Sequence, residues 1–264
     1  MRVMKTAIKL VLVYLGMQIL AALLVTPFAL LYAHLEYGDV NRASAVSLVP
    51  TMLGGFLFMG LYLWKKGYLK NDGRIYAVHS VPFLLYGLIA GLSGIFIMDF
   101  IMSHLSFLPD WMKDTFNVMQ SGWVGILCVA VLGPVLEELL FRGSITKVLL
   151  QRYSPGKAIM FSGLIFGIVH LNPVQVVGGV LIGFLLAWVY YKSGSLIPGI
   201  LIHVMNNSLS VYLNIHYPDV DYTAQLIGQP VYRICLLLSV LLLMFSLRMM
   251  NNNKSFYPDS TSEV

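Results

Sequence analysis

The chain has 264 residues, of which 58% are hydrophobic and only 11% are charged, and its formal net charge is +5. Soluble globular proteins contain about 25% charged residues, so this composition excludes an ordinary soluble domain. Because the shortage of charge extends along the whole length, it favours a chain that crosses a membrane several times over a soluble domain with one anchor.

The apolar runs of the sequence are long enough for bilayer-spanning helices, which need about 20 residues. The predicted spans are about 8–33, 46–64, 81–103, 122–142, 158–172, 174–191, 196–213 and 230–249. The first run is too long for a signal peptide and no clear cleavage site follows it, so we expect a retained helix. No run alternates with a period of two, which disfavours a barrel. The predicted fold is an all-α, polytopic membrane bundle of about eight transmembrane helices.

Charged residues in the loops predict the orientation of these spans. Alternate connections and the two ends carry the basic residues Arg2, Lys5, Lys9, Lys65, Lys66, Lys70, Arg74, Lys147, Arg152, Lys157, Lys192, Arg248 and Lys254. The opposite connections carry Glu36, Asp39, Asp110, Asp114, Asp219 and Asp221, with Arg42, Lys113 and Arg233 as their only bases. The positive-inside rule therefore places both termini in the cytoplasm.

The predicted spans divide the chain into four parts. Spans one to three and their loops occupy 1–121, and spans four to seven occupy 122–213. A loop and the eighth span occupy 214–250, and the polar tail at 251–264 is predicted to be disordered.

Two segments outside the spans are predicted to lie at the membrane surface. The stretch 104–120 is amphipathic, with Trp111 and Phe116 as interface anchors. The stretch 145–153 follows the fourth span, and we expect a separate interfacial helix there on the cytoplasmic side.

Ionisable residues inside a span are candidates for function, because each one costs at least about 2.5–3.5 kcal/mol to insert. The spans contain Asp99, Glu137, Glu138, Arg142, His170 and His203, together with the amides Asn206 and Asn207. Asp99 lies near the outer end of the third span, and we expect no catalytic role for it.

The fourth span carries two adjacent glutamates with different surroundings. Glu138 and Arg142 are four residues apart in the favoured order for a helical ion pair, which predicts a self-neutralising structural pair. Glu137 points about 100° away from Glu138. Its neighbours one turn away are Gly133 and Phe141, so it has no local partner. A buried carboxylate without a cation suits a general base.

The fifth and seventh spans each present an imidazole. Gly163, Gly167 and His170 share one helix face, and small residues at this spacing predict close approach of a neighbouring helix. His203 and Asn207 share a face of the seventh span. Taken singly, His170 is best interpreted as a core histidine bonded to a carbonyl, and His203 with Asn207 equally well as a packing pair.

Three helices that each carry a catalytic type of group within 75 residues point to one site rather than three separate packing features. Glu137 and His203 lie about 10 Å from the cytoplasmic helix ends, at 1.5 Å per residue. His170 lies about 18 Å from that end if its helix starts at Ala158. The fifth helix must therefore be tilted or start late.

The three motifs are Glu137-Glu138-x-x-x-Arg142, Phe166-x-x-x-His170 and His203-x-x-x-Asn207. In this order and spacing, over about 122–213, they resemble the CPBP family of intramembrane proteases. That family, also called Abi/CAAX-like, includes CAAX prenyl endopeptidases and bacteriocin-processing and immunity proteins. The resemblance implies peptide-bond hydrolysis within or at the membrane, with 122–213 as the catalytic core.

The resemblance also implies roles for the residues of the motifs. Glu137 and His170 would activate the attacking water, and His203 and Asn207 would stabilise the oxyanion. Glu138 and Arg142 would maintain the architecture of the site.

Two chemistries remain open for this site. Glu137, His170 and His203 with a water would form a known catalytic zinc set, and the family is usually labelled metalloprotease. A metal-free route would use Glu137 as the base. Because the chain lacks His-Glu-x-x-His, and because Asn207 suits an oxyanion donor, we favour the metal-free route.

The sequence therefore predicts an intramembrane endopeptidase in a bacterial cytoplasmic membrane, acting on a peptide or membrane-protein substrate. The alternative is a catalytically silent immunity or scaffold protein of the same family. A secondary transporter is disfavoured, because the chain shows no inverted repeat or paired broken helices. We expect the lipid bilayer as a partner and no nucleic acid, and the sequence predicts neither the substrate nor the oligomeric state.

Overall fold

The computed structural model describes residues 2–70, 75–252 and 256–257, which form helices and connecting turns without a strand. The helices are α1 (Arg2–Tyr37), α2 (Ala43–Lys65), α3 (Val81–Ser103), α4 (Lys113–Met119), α5 (Trp123–Leu149), α6 (Pro155–Ile168), α7 (Pro173–Ser193), α8 (Ile197–His216), α9 (Thr223–Ile227) and α10 (Gln229–Asn251). Each of the eight predicted spans coincides with one of the longer helices.

Six helices in the described part of the chain are long and apolar enough to cross a membrane: α1, α2, α3, α5, α7 and α10. The chain is therefore a polytopic, all-helical membrane protein. Of the other two predicted spans, α6 has only 14 residues. Helix α8 has 20 residues but carries the polar side chains of His203, Asn206 and Asn207.

Helix α5 runs seven residues beyond the predicted end of the fourth span at Arg142, and the separate interfacial helix predicted at 145–153 is wrong. The continuation is a π-helical segment, Phe141–Thr146, whose wider turns leave carbonyls without regular α-helical partners. Hydroxyl groups compensate: Ser144 donates to the Leu139 carbonyl at 3.1 Å, and Thr146 donates to the Phe141 carbonyl at 2.9 Å.

Helices α6 and α7 form a tightly packed hairpin. A Cβ on Gly179 would lie 3.0 Å from the Cα of Gly167, and a Cβ on Gly183 would lie 3.0 Å from the Cα of Gly163. The predicted close packing at these glycines is confirmed. Helix α6 starts at Pro155, before Ala158, so a late start of this helix is not what brings His170 into the site.

The hydrophobic core lies around α5, where α1, α2, α6, α7 and α8 meet. Its buried members include Leu10, Met59, Leu136, Leu140, Phe166, Leu186 and Ile202. Helices α3 and α10 flank this core, and Asp99 of α3 joins them to α9. The carboxylate of Asp99 accepts from Thr223 N at 3.1 Å and from the Tyr232 hydroxyl at 2.7 Å, so its role here is structural.

The structure describes four residues of the tail, namely Asn251, Asn252, Phe256 and Tyr257. Asn251 ends α10, and the backbone N–H of Phe256 donates to the Lys192 carbonyl at 3.1 Å. The hydroxyls of Tyr257 and Tyr190 are hydrogen-bonded at 3.1 Å. Most of the remaining tail, with Lys254, and the loop residue Arg74 lie outside the described residues.

Candidate active site

Glu138 lies at the centre of a buried polar cluster in which α5 meets α8. Its Oε1 accepts hydrogen bonds from Arg142 Nη1 and from His203 Nδ1, both at 2.8 Å. The sequence spacing predicts the ion pair with Arg142 but not the bond to His203. Both partners of Glu138 are buried, so this carboxylate fixes the orientation of the imidazole as well as neutralising the guanidinium.

Gly199, one turn before His203, allows this close approach of the two helices. A Cβ at Gly199 would lie 2.9 Å from Glu138 Oε2, closer than real Cβ contacts. The glycine is visible in the sequence on the face of His203. Its significance depends on which helix lies opposite, and the sequence does not contain that information.

The ring of Phe166 on α6 contacts three functional side chains, those of Arg142, His170 and His203. The guanidinium carbon of Arg142 lies 4.4 Å from the centre of its ring. The rings of His170 and His203 pack edge-on against it, with centroid distances of 5.0 and 5.6 Å. Arg142 Nη2 also donates to the Gly183 carbonyl at 3.3 Å, so α5, α6, α7 and α8 meet here.

Glu137, which precedes Glu138 on α5, faces the other nitrogen of the same imidazole. Its Oε2 lies 3.5 Å from His203 Nε2, and its side chain is 20% exposed, whereas that of Glu138 is fully buried. Because Glu138 accepts the Nδ1 proton, Nε2 is the ring atom that faces Glu137.

Arg142 and Glu138 form a buried ion pair at 2.8 Å, so neither charge is isolated in apolar surroundings, where an isolated charge is costly.

His170 lies two residues beyond the end of α6, and its Nδ1 is 2.8 Å from the Phe166 carbonyl oxygen. The carbonyl can only accept, so the ring donates from Nδ1. Among the described hydrogen bonds and ion pairs, none joins His170 to Glu137 or His203, and Phe166 is the side chain that both imidazoles contact.

Asn207 supports the irregular part of α5. Its Nδ2 donates at 3.0 Å to the carbonyl of Val129, which lies in the π-helical segment Cys128–Leu132. Pro134 follows Val129 by five residues and has no N–H to donate back to it. The Oδ1 of Asn207 accepts from Asn206 at 3.0 Å. Among the described hydrogen bonds, none uses the second N–H of the Asn207 amide.

The proposed zinc ligands do not form a complete set in this arrangement. His203 is oriented as a zinc ligand often is, with Nδ1 on a carboxylate and Nε2 directed into the site. Within the described residues, however, no three His, Cys, Asp or Glu side chains are grouped to hold a metal ion. Among the described contacts, His170 does not join Glu137 and His203.

Helix α1 adds a residue that the sequence pattern does not reveal. Tyr14 packs against the hydrophobic core and interacts electrostatically with Glu137. The side chain of Gln18, its hydrogen-bond partner, occupies the space above Gly55, where a Cβ would overlap it. In a uniformly apolar run, Tyr14 carries no motif that could identify it.

Comparison with known proteins places this site in a family context. Residues 119–209 match the family described as type II CAAX prenyl endopeptidase Rce1-like, and this range includes Glu137 and Asn207. The chain is 29% identical over 109 residues to "Putative membrane peptidase YdiL" of Bacillus subtilis (strain 168), covering 41% of this chain and 44% of that protein. The chain thus spans less than half the length of that relative.

A second relative is covered more fully. The chain is 30% identical over 149 residues to "UPF0177 protein YajF" of Lactococcus lactis subsp. lactis (strain IL1403), covering 52% of this chain and 72% of that protein. No solved structure matches the chain.

Proposed function

Because the chain belongs to the CPBP, or Abi/CAAX-like, family, we propose that it is an intramembrane endopeptidase. It hydrolyses a peptide bond of a peptide or a membrane-associated protein. The observation that carries this proposal is the partly exposed carboxylate of Glu137, 3.5 Å from an imidazole whose other nitrogen is bound by the buried Glu138. Hydrolysis requires a group that accepts a proton from water, here the partly exposed Glu137, beside a donor in a fixed position, here His203.

In the proposed reaction Glu137 is the general base. Its carboxylate takes a proton from water as the hydroxide adds to the scissile carbonyl. The same carboxyl group then returns that proton to the leaving amine. Water supplies both the hydroxyl group and the proton of the products, so no other reactant is needed.

His203 and Asn207 are proposed to stabilise the oxyanion of the tetrahedral intermediate. The Nε2–H of His203 is held in place through its Nδ1 bond to Glu138, and a fixed donor stabilises developing charge without reorganisation. The second N–H of the Asn207 amide is the other donor. His170, with Nδ1 occupied by the Phe166 carbonyl, offers Nε2 to orient the attacking water.

The proposed location is the cytoplasmic membrane of a bacterium. The six apolar helices support a location in a membrane, and the relatives from Bacillus and Lactococcus support a bacterial origin. The proposed substrate is a peptide or membrane-associated protein with its scissile bond close to the bilayer.

A comparison of peptide pools tests the proposal and identifies the substrate in the same experiment. Membranes and medium from cells that produce the wild type, Glu137→Gln or Glu36→Gln would be compared by mass spectrometry, with the protein quantified by immunoblotting. Removing a general base lowers rates by about 100- to 10,000-fold, so peptides that depend on the wild type should disappear with Glu137→Gln. Glu36 is exposed on α1 and serves as the matched control.

Three identical peptide pools at equal protein abundance would reject the endopeptidase and leave the silent immunity or scaffold protein as the interpretation of the family. Wild-type-dependent peptides that survive in Glu137→Gln would show instead that Glu137 is not the base.

A further inference from the structure

The connection between α3 and α5 is hydrogen-bonded to the turn after His170 and to α8, the helix that carries His203. Each of these two sets of hydrogen bonds is called a fastening below. We call residues 105–121, which include α4, the strap. Trp111 of the strap is 69% exposed, as expected for an interface anchor. The predicted second anchor, Phe116, instead packs inward with Met119 against Val129, Ala130 and Val211. The strap therefore lies over the π-helical segment that Asn207 supports.

One fastening is Asn172, the residue directly before α7. Its side chain is 1% exposed and has a partner for each polar atom. Oδ1 accepts from Trp111 N at 3.0 Å, and Nδ2 donates to Asp110 Oδ1 at 2.8 Å. Asn172 begins α7, yet its side chain makes no capping bond to that helix and is directed wholly at the strap.

The backbone of Asn172 holds His170 at the same time. Its N–H donates to the His170 carbonyl at 2.7 Å, across Leu171. Leu171 has φ +60°, a left-handed conformation that is strained for a residue with a side chain. The turn that ends α6 directly after His170 is thus strained and must be stabilised from outside. The two side-chain bonds of Asn172 provide that stabilisation.

A second fastening joins the strap to α8. Asn214 Nδ2 donates to Asn117 Oδ1 at 3.1 Å and to Gln120 Oε1 at 3.0 Å. These groups are more exposed than Asn172, and Asn214 lies two turns beyond Asn207, away from the turn that follows His170. The two fastenings can therefore be broken separately.

We propose that Asn172 is a positioning residue for His170: by bonding the strap at Asp110 and Trp111, it maintains the strained turn that fixes the imidazole. The catalytic consequence rests on the proposed function, because His170 is taken to orient the attacking water. The strap, which lies outside the family-matched residues except at its end, thereby becomes part of the site.

The bond between Asn172 and Asp110 can be reversed to test this role. Asn172→Asp places two carboxylates side by side and breaks the bond, whereas the double variant Asn172→Asp with Asp110→Asn restores one donor and one acceptor in opposite order. Asp110→Ala removes the partner from the exposed strap and is the second variant if Asn172→Asp does not fold. Asn214→Ala breaks the other fastening and is the matched control.

The first readout is the imidazole itself. Purified full-length protein with ¹⁵N-labelled histidine would be studied by NMR in detergent micelles, with His170 assigned by its loss in His170→Gln. The wild type should show the tautomer protonated on Nδ1. Asn172→Asp and Asp110→Ala should show both tautomers, and the double variant and Asn214→Ala should resemble the wild type.

The second readout is formation of the peptides identified with Glu137→Gln, which should fall by up to about 100-fold in Asn172→Asp and recover in the double variant. A wild-type His170 spectrum in folded Asn172→Asp or Asp110→Ala would overturn the proposal, as would a double variant that folds but does not recover it. The NMR readout needs no substrate, so it stands or fails independently of the endopeptidase proposal.

Discussion

Glu137 and Glu138 are adjacent and chemically identical, yet their surroundings assign them opposite roles. Glu138 is fully buried between two donors, while Glu137 is partly exposed and faces only His203 among the ion pairs described. Helical geometry alone separates the two faces, and the pairing of Glu138 with Arg142 follows from spacing. The bond from Glu138 to His203 could not be predicted, because it depends on how two helices 65 residues apart cross.

The contact between Gly199 and Glu138 gives a prediction at this scale. Gly199→Ala would place a methyl group 2.9 Å from Glu138 Oε2. The carboxylate would then move away from its hydrogen bond with His203 Nδ1. We expect product formation to fall by about 100-fold, since misplacement of a catalytic group by about 1 Å has effects of this size. Activity would be measured on a peptide identified as wild-type-dependent.

Gly178→Ala is the matched control for that substitution, because a Cβ there would meet only the flexible Met98 side chain, at 3.4 Å. Equal activity of Gly199→Ala, Gly178→Ala and the wild type would mean that the orientation of His203 by Glu138 does not matter for the reaction.

At the scale of elements, apolar runs locate the long helices but not all of their ends. The predicted end of α5 is too early because the π-helical segment Phe141–Thr146 continues a helix through Gly143 and polar side chains that normally indicate a loop. The predicted end of α6 at Asn172 is too late, since the helix stops at Ile168 and the turn at Leu171 depends on contacts with the distant strap. Hydropathy indicates which segments are buried in lipid. It predicts neither a π-helical continuation nor a turn that depends on tertiary contacts.

The glycine interface of α6 and α7 gives a prediction about stability. A Cβ on Gly167 would overlap the side chain of Val180 and the carbonyl of Val176, so Gly167→Ala must separate the helices. Overpacking of this kind costs about 1–3 kcal/mol. We expect a lower midpoint of thermal unfolding in detergent micelles than for the wild type.

Gly156→Ala lies on the same helix with open space around it and should leave the midpoint unchanged. If the two variants unfold at the same temperature, close contact at Gly167 does not contribute to the stability of the hairpin.

For the whole molecule, the motifs predict the family and the set of helices that meet at the site, α5 to α8. The remaining helices carry no recognisable pattern, yet α1 brings Tyr14 near Glu137 and the strap holds the turn after His170. Such contributions come from tertiary packing of ordinary apolar sequence. A single sequence therefore identifies the polar groups of this site more readily than the scaffold around them.

The orientation of the whole molecule remains a prediction of its loop charges, and it can be tested with a pair of exposed positions. Lys66 follows α2, and Asp219 lies between α8 and α9. With the free cysteines Cys128 and Cys235 replaced by alanine, Lys66→Cys and Asp219→Cys would be treated with a membrane-impermeant maleimide in intact cells. Because basic loops stay in the cytoplasm, Asp219→Cys should be labelled directly and Lys66→Cys only after permeabilisation. The reverse labelling pattern would place both termini and the basic loops outside the cell. That orientation would contradict the positive-inside rule for this chain.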